Sequence, residues 1–301
     1  MTLKLIHTHD DNLQLYHNDV QLFTYVYKPQ VAAVEAPRPY FHPMRTLAGD
    51  VVTSFRPNDH RWHHGLSMTF AVLSGDNFWG GNSYVRDQGY TLLDNLGQQQ
   101  HREWEEIWCA ADSAYFRQQI AWVSSKGEIW IDETRTHEVV VADDFWTLAM
   151  KLRLHNVRGE ALEFGSPATE GRPGVGYGGL FWRGARDLTG GTITIADGPS
   201  TKNDDMQVMG QSGAWLSFTG LHDEVDHSST VLFMDQPDNP RYPNKWFART
   251  EKTVCVSFAF IFDEVYTLAA DSMLELNYQI VIANGAWSRE QAQHVVAEVR
   301  R

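Results

Sequence analysis

Cysteine is nearly missing from this chain: Cys109 and Cys255 are the two among 301 residues, far apart and in no CxxC spacing. That excludes a disulfide framework or a cysteine-rich zinc clip and leaves two thiols expected to be buried. Long apolar runs are missing too, and none approaches the roughly 20 residues that a membrane span needs. The opening stretch, Met1-Thr-Leu-Lys-Leu-Ile-His-Thr-His9, has neither the apolar centre of a secretory leader nor a small-residue cleavage site, so a cytoplasmic location is expected. Positive charge is scarce. With 25 Lys and Arg against 38 Asp and Glu, the formal charge is −13, which argues against nucleic acid and anionic membrane as partners. The chain also lacks a P-loop, a dinucleotide-binding glycine fingerprint, low-complexity linkers and any repeat of fixed period.

What it does have is apolar and aromatic material, 43% and 12% of residues, distributed with a period of two. In Phe145–His155, Leu148, Met150, Leu152 and Leu154 fall on one face and Thr147, Ala149, Lys151 and Arg153 on the other, the pattern of a half-buried strand. Leu13–Tyr16 and Leu22–Tyr27 flank the turn signal Asn18-Asp19. Tyr115–Ser124 and Glu128–Val141 flank Lys126-Gly127. Short strands are expected at 50–55, 66–73, 190–195, 214–219 and 231–235. Residues 99–107 suit a helix or a long exposed strand. Val254–Phe262 and Leu274–Ile282 alternate and are expected to pair with each other. One helix stands out at the C-terminus, where Ser288 and Gln291 form a capping box before Ala292, Val295, Val296 and Val299. The expected fold is all-β: a large antiparallel β-sandwich as a single domain over residues 1–301, with a short C-terminal helix.

Three stretches carry candidate chemistry. The first is Phe55-Arg-Pro-Asn-Asp-His-Arg-Trp-His-His-Gly65, the densest histidine cluster in the chain, with His42 and Arg45 upstream and Asn77-Phe-Trp-Gly-Gly81 downstream. Histidine exchanges protons or binds metal near neutral pH. In an extended segment His60, Trp62 and His64 share a face and His63 opposes them. A proton-transfer reading needs one histidine oriented by a carboxylate such as Asp59 or Glu170. A metal reading needs His60 and His64 with a distant third ligand. The plain alternative is histidines satisfied by ordinary hydrogen bonds. The second stretch, Ala168–Arg183, is rich in glycine and holds Glu170, Arg172 and Trp182; Glu170 and Arg172 could equally be a structural ion pair. The third, Asn239–Arg249, holds Lys245, Trp246 and Arg249. Aromatic faces beside basic and amide groups suit a sugar, whose C–H faces stack while its hydroxyls are read by polar groups. Trp62, Trp79, Trp182 and Trp246 sit in such stretches, although most tryptophans in any fold are core.

These motifs resemble the DUF6807 family, once labelled PmoA-like: Pro39-Tyr-Phe-His-Pro-Met-Arg45, Asp59-His-Arg-Trp-His-His-Gly-Leu66, Asn77-Phe-Trp-Gly-Gly81, Thr169-Glu-Gly-Arg-Pro173, Gly176-Tyr-Gly-Gly-Leu-Phe-Trp-Arg183 and Pro243-Asn-Lys-Trp-Phe-Ala-Arg249. The resemblance spans nearly the whole chain and carries best onto His60 and His63, least onto His64. It implies a β-sandwich like that of the galactose mutarotase superfamily and an association with sugar metabolism. The old label points to a membrane oxygenase subunit, which the missing apolar runs oppose.

The resulting reading is a carbohydrate-active enzyme acting on a small sugar or glycoside, with a keto-sugar as one option, by epimerisation, elimination or hydrolysis. His60, His63 and Glu170 are the acid/base candidates. His42, Arg45, Trp62, His64, Trp79, Arg172, Trp182, Lys245, Trp246 and Arg249 are the substrate-binding candidates. Hydrolysis by paired carboxylates would ask for a second acid, with Asp59, Asp76 and Asp238 available. The alternatives are a sugar-binding or sensing protein without turnover, and a metal-dependent enzyme with the histidines as ligands of a divalent ion. No metal ligand set is assigned, and a homo-oligomer is left open.

Overall fold

The structure, a computed structural model, describes residues 2–202 and 204–300. Period-two alternation decides its architecture. Leu148, Met150, Leu152 and Leu154 are buried and Lys151 and Arg153 exposed, so strand Phe145–Asn156 turns one face inward. It lies within a nine-stranded antiparallel sheet ordered Ser200–Lys202, Thr192–Ile195, Trp215–Leu221, Ser228–Asp235, Met273–Asn284, Phe145–Asn156, Ile129–Val141, Ser113–Val123 and Gln98–Cys109. A second, eight-stranded sheet packs against it, ordered Leu3–Thr8, Asn12–His17, Val20–Val26, Tyr40–Met44, Leu66–Thr69, Gly179–Arg183, Cys255–Phe258 and Trp246–Arg249. A continuous apolar core fills the space between the two sheets. The molecule is thus the antiparallel β-sandwich that the alternation predicts.

Several elements differ from expectation. Val254–Phe262 and Leu274–Ile282 do not pair. Cys255–Phe258 lies in the eight-stranded sheet and Met273–Asn284 in the other, so their inward residues meet across the core, with the Phe258 and Tyr278 rings 4.4 Å apart. Alternation marks a buried face but not the partner strand, which chain topology chooses. Residues 50–55 form only two isolated bridges, Arg45 with Val51 and Phe55 with His64. The run at 66–73 splits into Leu66–Thr69 and Val72–Leu73, and the second piece joins a small sheet with Leu162–Gly165 and Tyr266–Leu268. Residues 98–109 take the strand option.

Helix Arg289–Val299 has the expected capping box: the Gln291 N–H donates to Ser288 Oγ and the Ser288 N–H to Gln291 Oε1. Its Ala292, Val295 and Val296 cover the outer face of the nine-stranded sheet against Trp215, Leu232, Met234 and Val281. The helix therefore closes that face, and the outer face of the eight-stranded sheet is shaped by loops instead. Among the described residues no helix is long and apolar enough to cross a membrane.

Candidate active site

The site is built on the outer face of the eight-stranded sheet. In Gly179–Arg183, Leu180 and Trp182 point into the core, so Phe181 and Arg183 point out; in Trp246–Arg249, Phe247 and Arg249 point out; in Cys255–Phe258, Cys255 points out. Phe181, Phe247 and Cys255 floor a cavity of about 350 Å³. Its lining also includes His60, Trp62, His63 and Trp79, and Tyr90, Arg172, Tyr177 and Arg249.

Two successive turns place the histidines. The His60 N–H bonds to the Pro57 carbonyl at 2.9 Å and the His63 N–H to the His60 carbonyl at 3.0 Å. Residues 60–64 are therefore not extended, and positions 60 and 63 converge. Their rings stack, with centroids 4.6 Å apart and planes 22° from parallel. His64 faces away, which reverses the extended-chain expectation.

Hydrogen-bond partners fix the protons on this pair. His60 Nδ1 lies 3.0 Å from the Asp59 carboxylate. A carboxylate only accepts, so Nδ1 carries the proton and Nε2 keeps its lone pair. His63 Nδ1 lies 3.4 Å from the Arg183 guanidinium. A guanidinium only donates, so here Nδ1 accepts, weakly at that length, and the proton resides on Nε2. Burial first, with the nearby His60 ring and the Arg183 charge disfavouring a second positive charge, holds the His63 pKa well below the usual histidine value, so it is neutral at pH 7. Asp59 contacts Arg183 at 3.5 Å and Arg186 at 3.3 Å. Burial opposes its ionisation, but the His60 hydrogen bond and the Arg183 charge win and lower its pKa. The pair thus offers one nitrogen lone pair and one N–H donor.

A buried network holds the loops that carry these groups. The Arg38 guanidinium is fully enclosed and donates to Ser67 Oγ and to the carbonyls of Glu35, Ala36, Trp62 and Trp79. It thereby ties both cavity tryptophans to one point. Glu35 accepts two 2.9 Å bonds from Arg56 and one of 3.0 Å from His64 Nε2. Asn77 Oδ1 caps the Trp79 and Gly80 N–H groups. A Cβ on Gly81, where φ is +66°, would sit 2.7 Å from the Trp62 ring, so that glycine is what lets the indole lie on the backbone.

In the same cavity the Tyr90 and Tyr177 hydroxyls are 2.9 Å apart, and Arg172 both donates to Tyr90 and stands over its ring at 4.8 Å. Burial, then Tyr90, push the Tyr177 hydroxyl well above its usual pKa, so it stays protonated. Trp79 packs 4.4 Å from Tyr177 and 4.6 Å from Phe181.

The structure brings together His60, His63, Trp62, Trp79, Arg172 and Arg249 from four separate stretches of chain. The other candidates lie elsewhere. Trp182 and Trp246 are core residues, 1% and 0% exposed, and the Trp246 indole N–H is used by the Gly213 carbonyl. They occupy the inward parity of their strands, and Phe181 and Phe247 take the outward places. Glu170 sits in a turn, its N–H bonded to the Ser166 carbonyl, and lines a neighbouring groove together with Arg86; it neither shares a face with Arg172 nor meets the histidine pair. Lys245 is paired with Asp263 at 2.7 Å. His42 bonds to Thr53 and stacks on Phe55, and burial lowers its pKa to about 4. Arg45 bonds to Gln21. His64 is enclosed against Glu35, Tyr40 and Phe55. Tyr90, Tyr177, Arg183 and the Arg38–Glu35 support carried no signal beyond the glycine- and proline-rich surroundings of most of them.

The metal reading asked His60 and His64 to converge, and they face opposite surroundings. His63 meets a guanidinium, and among the described residues no three His, Cys, Asp or Glu groups are placed to hold a metal ion. These side chains do not fit a divalent ion.

Among solved structures the chain is similar to an alpha-galactosidase of the GH36 group from Geobacillus stearothermophilus, at 9% identity and TM-score 0.45, covering 95% of this chain and 41% of that one. It is similar to the alpha-galactosidase from Lactobacillus brevis at 10% identity and TM-score 0.42, covering 96% and 40%. A galactose mutarotase related enzyme from Lactobacillus acidophilus matches at 8% identity and TM-score 0.35, covering 95% and 98%. The chain therefore spans about two fifths of the length of the galactosidases it matches. At this distance the likenesses carry nothing about activity. A search of curated proteins finds no match. Residues 12–297 match the family described as a family of unknown function, DUF6807, and the chain belongs to that family.

Proposed function

We propose that this protein is a carbohydrate-active enzyme that moves a proton on a small keto-sugar or its glycoside. The observation that carries this reading is the stacked His60–His63 pair, with a lone pair on one ring and an N–H on the other, under an aromatic wall. A sugar ring stacks on Trp62, and Asn82 and the tyrosine hydroxyls read its hydroxyls. His60 Nε2 takes a proton from the carbon beside the carbonyl. The C–H electron pair forms the enolate double bond, and the carbonyl oxygen gains the negative charge. The His63 Nε2–H hydrogen-bonds that oxygen; as a neutral donor it needs no change of charge state to do so. Asp59 holds the His60 ring in its orientation and stabilises the imidazolium that forms. Protonation of the carbon from the opposite face by a solvent water gives an epimer, and the His60 imidazolium returns its proton to the hydroxide left behind. Expelling a substituent from the next carbon, with the enolate pair forming the new C=C bond and the His60 imidazolium giving its proton to the departing oxygen, gives an elimination product.

Hydrolysis is the runner-up, because the paired-carboxylate route needs two acids across the scissile bond. Asp59 is committed to His60, Arg183 and Arg186, and Glu170 lies in another groove. The test is proton exchange in deuterated water, read by NMR on a panel of keto-sugars. Wild type is expected to wash deuterium into the carbon next to the carbonyl. His60→Gln is expected to slow this about 10²- to 10⁴-fold, the usual worth of a general base. Tight sugar binding with no exchange and no product would leave the non-catalytic binder as the function.

A further inference from the structure

The charged groups of the cavity are unevenly chosen. The protein carries a formal charge of −13, yet no Asp or Glu lines this cavity, whereas Arg172 and Arg249 do. Among the described residues neither arginine has a carboxylate within 4.0 Å, although most other arginines near the site are paired: Arg56 with Glu35, Arg183 and Arg186 with Asp59. Arg249 rests its guanidinium 5.2 Å from the Phe247 ring centre and makes no side-chain hydrogen bond among the described residues. Arg172 is held over Tyr90 with one donor used there, leaving others of its five free. Both charges reach Tyr177, where they oppose the effect of burial on its hydroxyl. Two part-exposed guanidinium groups, each braced by an aromatic ring and neither paired with a carboxylate, leave planar donor sets available to an anion in the cavity.

We propose that the sugar bound here is a sugar acid whose carboxylate lies between Arg172 and Arg249, with the Tyr177 hydroxyl as a further donor. This rests on the carbohydrate reading and adds the class of sugar. A carboxylate is preferred over a phosphate on two grounds. The planar guanidinium matches a carboxylate's two oxygens directly. Phosphate sites commonly add a helix N-terminus or a nest of backbone N–H groups, and the α-helix of this chain covers the other sheet. The cavity of about 350 Å³ is at the small end of ligand sites, enough for one ring. With His60 and His63 lining the same cavity, the carboxylate would hold the ring in one orientation relative to the histidines.

The test is titration calorimetry of the full chain with matched pairs of keto-sugars and their acids, fructose and fructuronate, tagatose and tagaturonate, together with glucose and glucuronate, the 6-phosphates of the neutral sugars, and inorganic phosphate alone. Wild type is expected to bind at least one acid ten-fold or more tightly than its neutral partner. In Arg249→Gln, and separately in Arg172→Gln, that acid-to-neutral ratio should fall about ten-fold, with far-UV circular dichroism confirming the fold. Equal affinity for acid and neutral sugar, or a preference surviving in both variants, overturns the inference and leaves the sugar reading standing. Binding of the phosphates but not the acids overturns the carboxylate assignment. Binding of neither acids, phosphates nor neutral sugars overturns this inference and the sugar reading together.

Discussion

Replacing Arg38 by Met should destabilise the protein and loosen the cavity, although Arg38 does not itself line the cavity. Its guanidinium is 0% exposed and bonds to Ser67 Oγ at 3.1 Å and to the carbonyls of Glu35, Ala36, Trp79 and Trp62 at 3.0, 3.0, 3.1 and 2.7 Å. Methionine fills much of the volume but satisfies none of these acceptors. Each buried group left unpaired costs about 1–3 kcal/mol. Relaxation and water entry recover part of the sum, so the expected loss is about 3–5 kcal/mol, as for other truncated buried charges. That is a large share of the roughly 5–15 kcal/mol that folds a domain. Arg38→Lys keeps the charge but offers three donors in place of five, so about half that loss is expected. The assay is urea unfolding followed by tryptophan fluorescence, with sugar affinity measured on the folded fraction. Because the Trp62 and Trp79 carbonyls are both released, affinity should fall in both variants. An Arg38→Met midpoint equivalent to less than about 0.5 kcal/mol from wild type would refute the clip.

Acid should destabilise the fold well before its carboxylates titrate. Burial depresses the folded pKa values of His63, His64 and His137 well below the ordinary histidine value of about 6.5, and that of His42 to about 4. Below about 6.5 the unfolded chain therefore binds more protons than the folded one, and stability falls as pH drops; His42 alone accounts for up to ~3 kcal/mol by pH 4. Urea midpoints at pH 7 and pH 5 check this, and equal midpoints would contradict it. Both ring nitrogens of His137 are buried without partners, and the ring stacks 4.4 Å from Phe116. His137→Phe should then raise stability by about 1 kcal/mol and flatten the acid dependence. Trp246→Ala should cost about 3–5 kcal/mol, as large core truncations do, while ligand affinity persists in the folded fraction; Trp62→Ala should weaken the ligand with a much smaller change in stability. The reverse pattern would return Trp246 to the cavity.

The sequence by itself determined the fold class, because alternation such as Leu148, Met150, Leu152 and Leu154 is a local consequence of strand geometry, and so is the Ser288–Gln291 cap. It also marked the loops at 55–65, 77–82 and 168–183 as unusual, since clustered His, Gly, Pro and Trp are expensive to keep without a reason. What it left open were matters of parity and partnership. Whether Phe181 or Trp182 faces the cavity is one residue of register, and both are large aromatics, so hydrophobicity cannot choose. Whether His60 sits with His63 or His64 depends on two backbone hydrogen bonds at Pro57 and His60, which replace extended spacing by a spacing of three. Whether Glu170 meets the histidines, and whether Arg172 and Arg249 share a cavity, depends on segments more than 60 residues apart being gathered over one sheet. Only the packing of the two sheets supplies that, because proximity between distant segments is a property of the closed core and of no single stretch of chain.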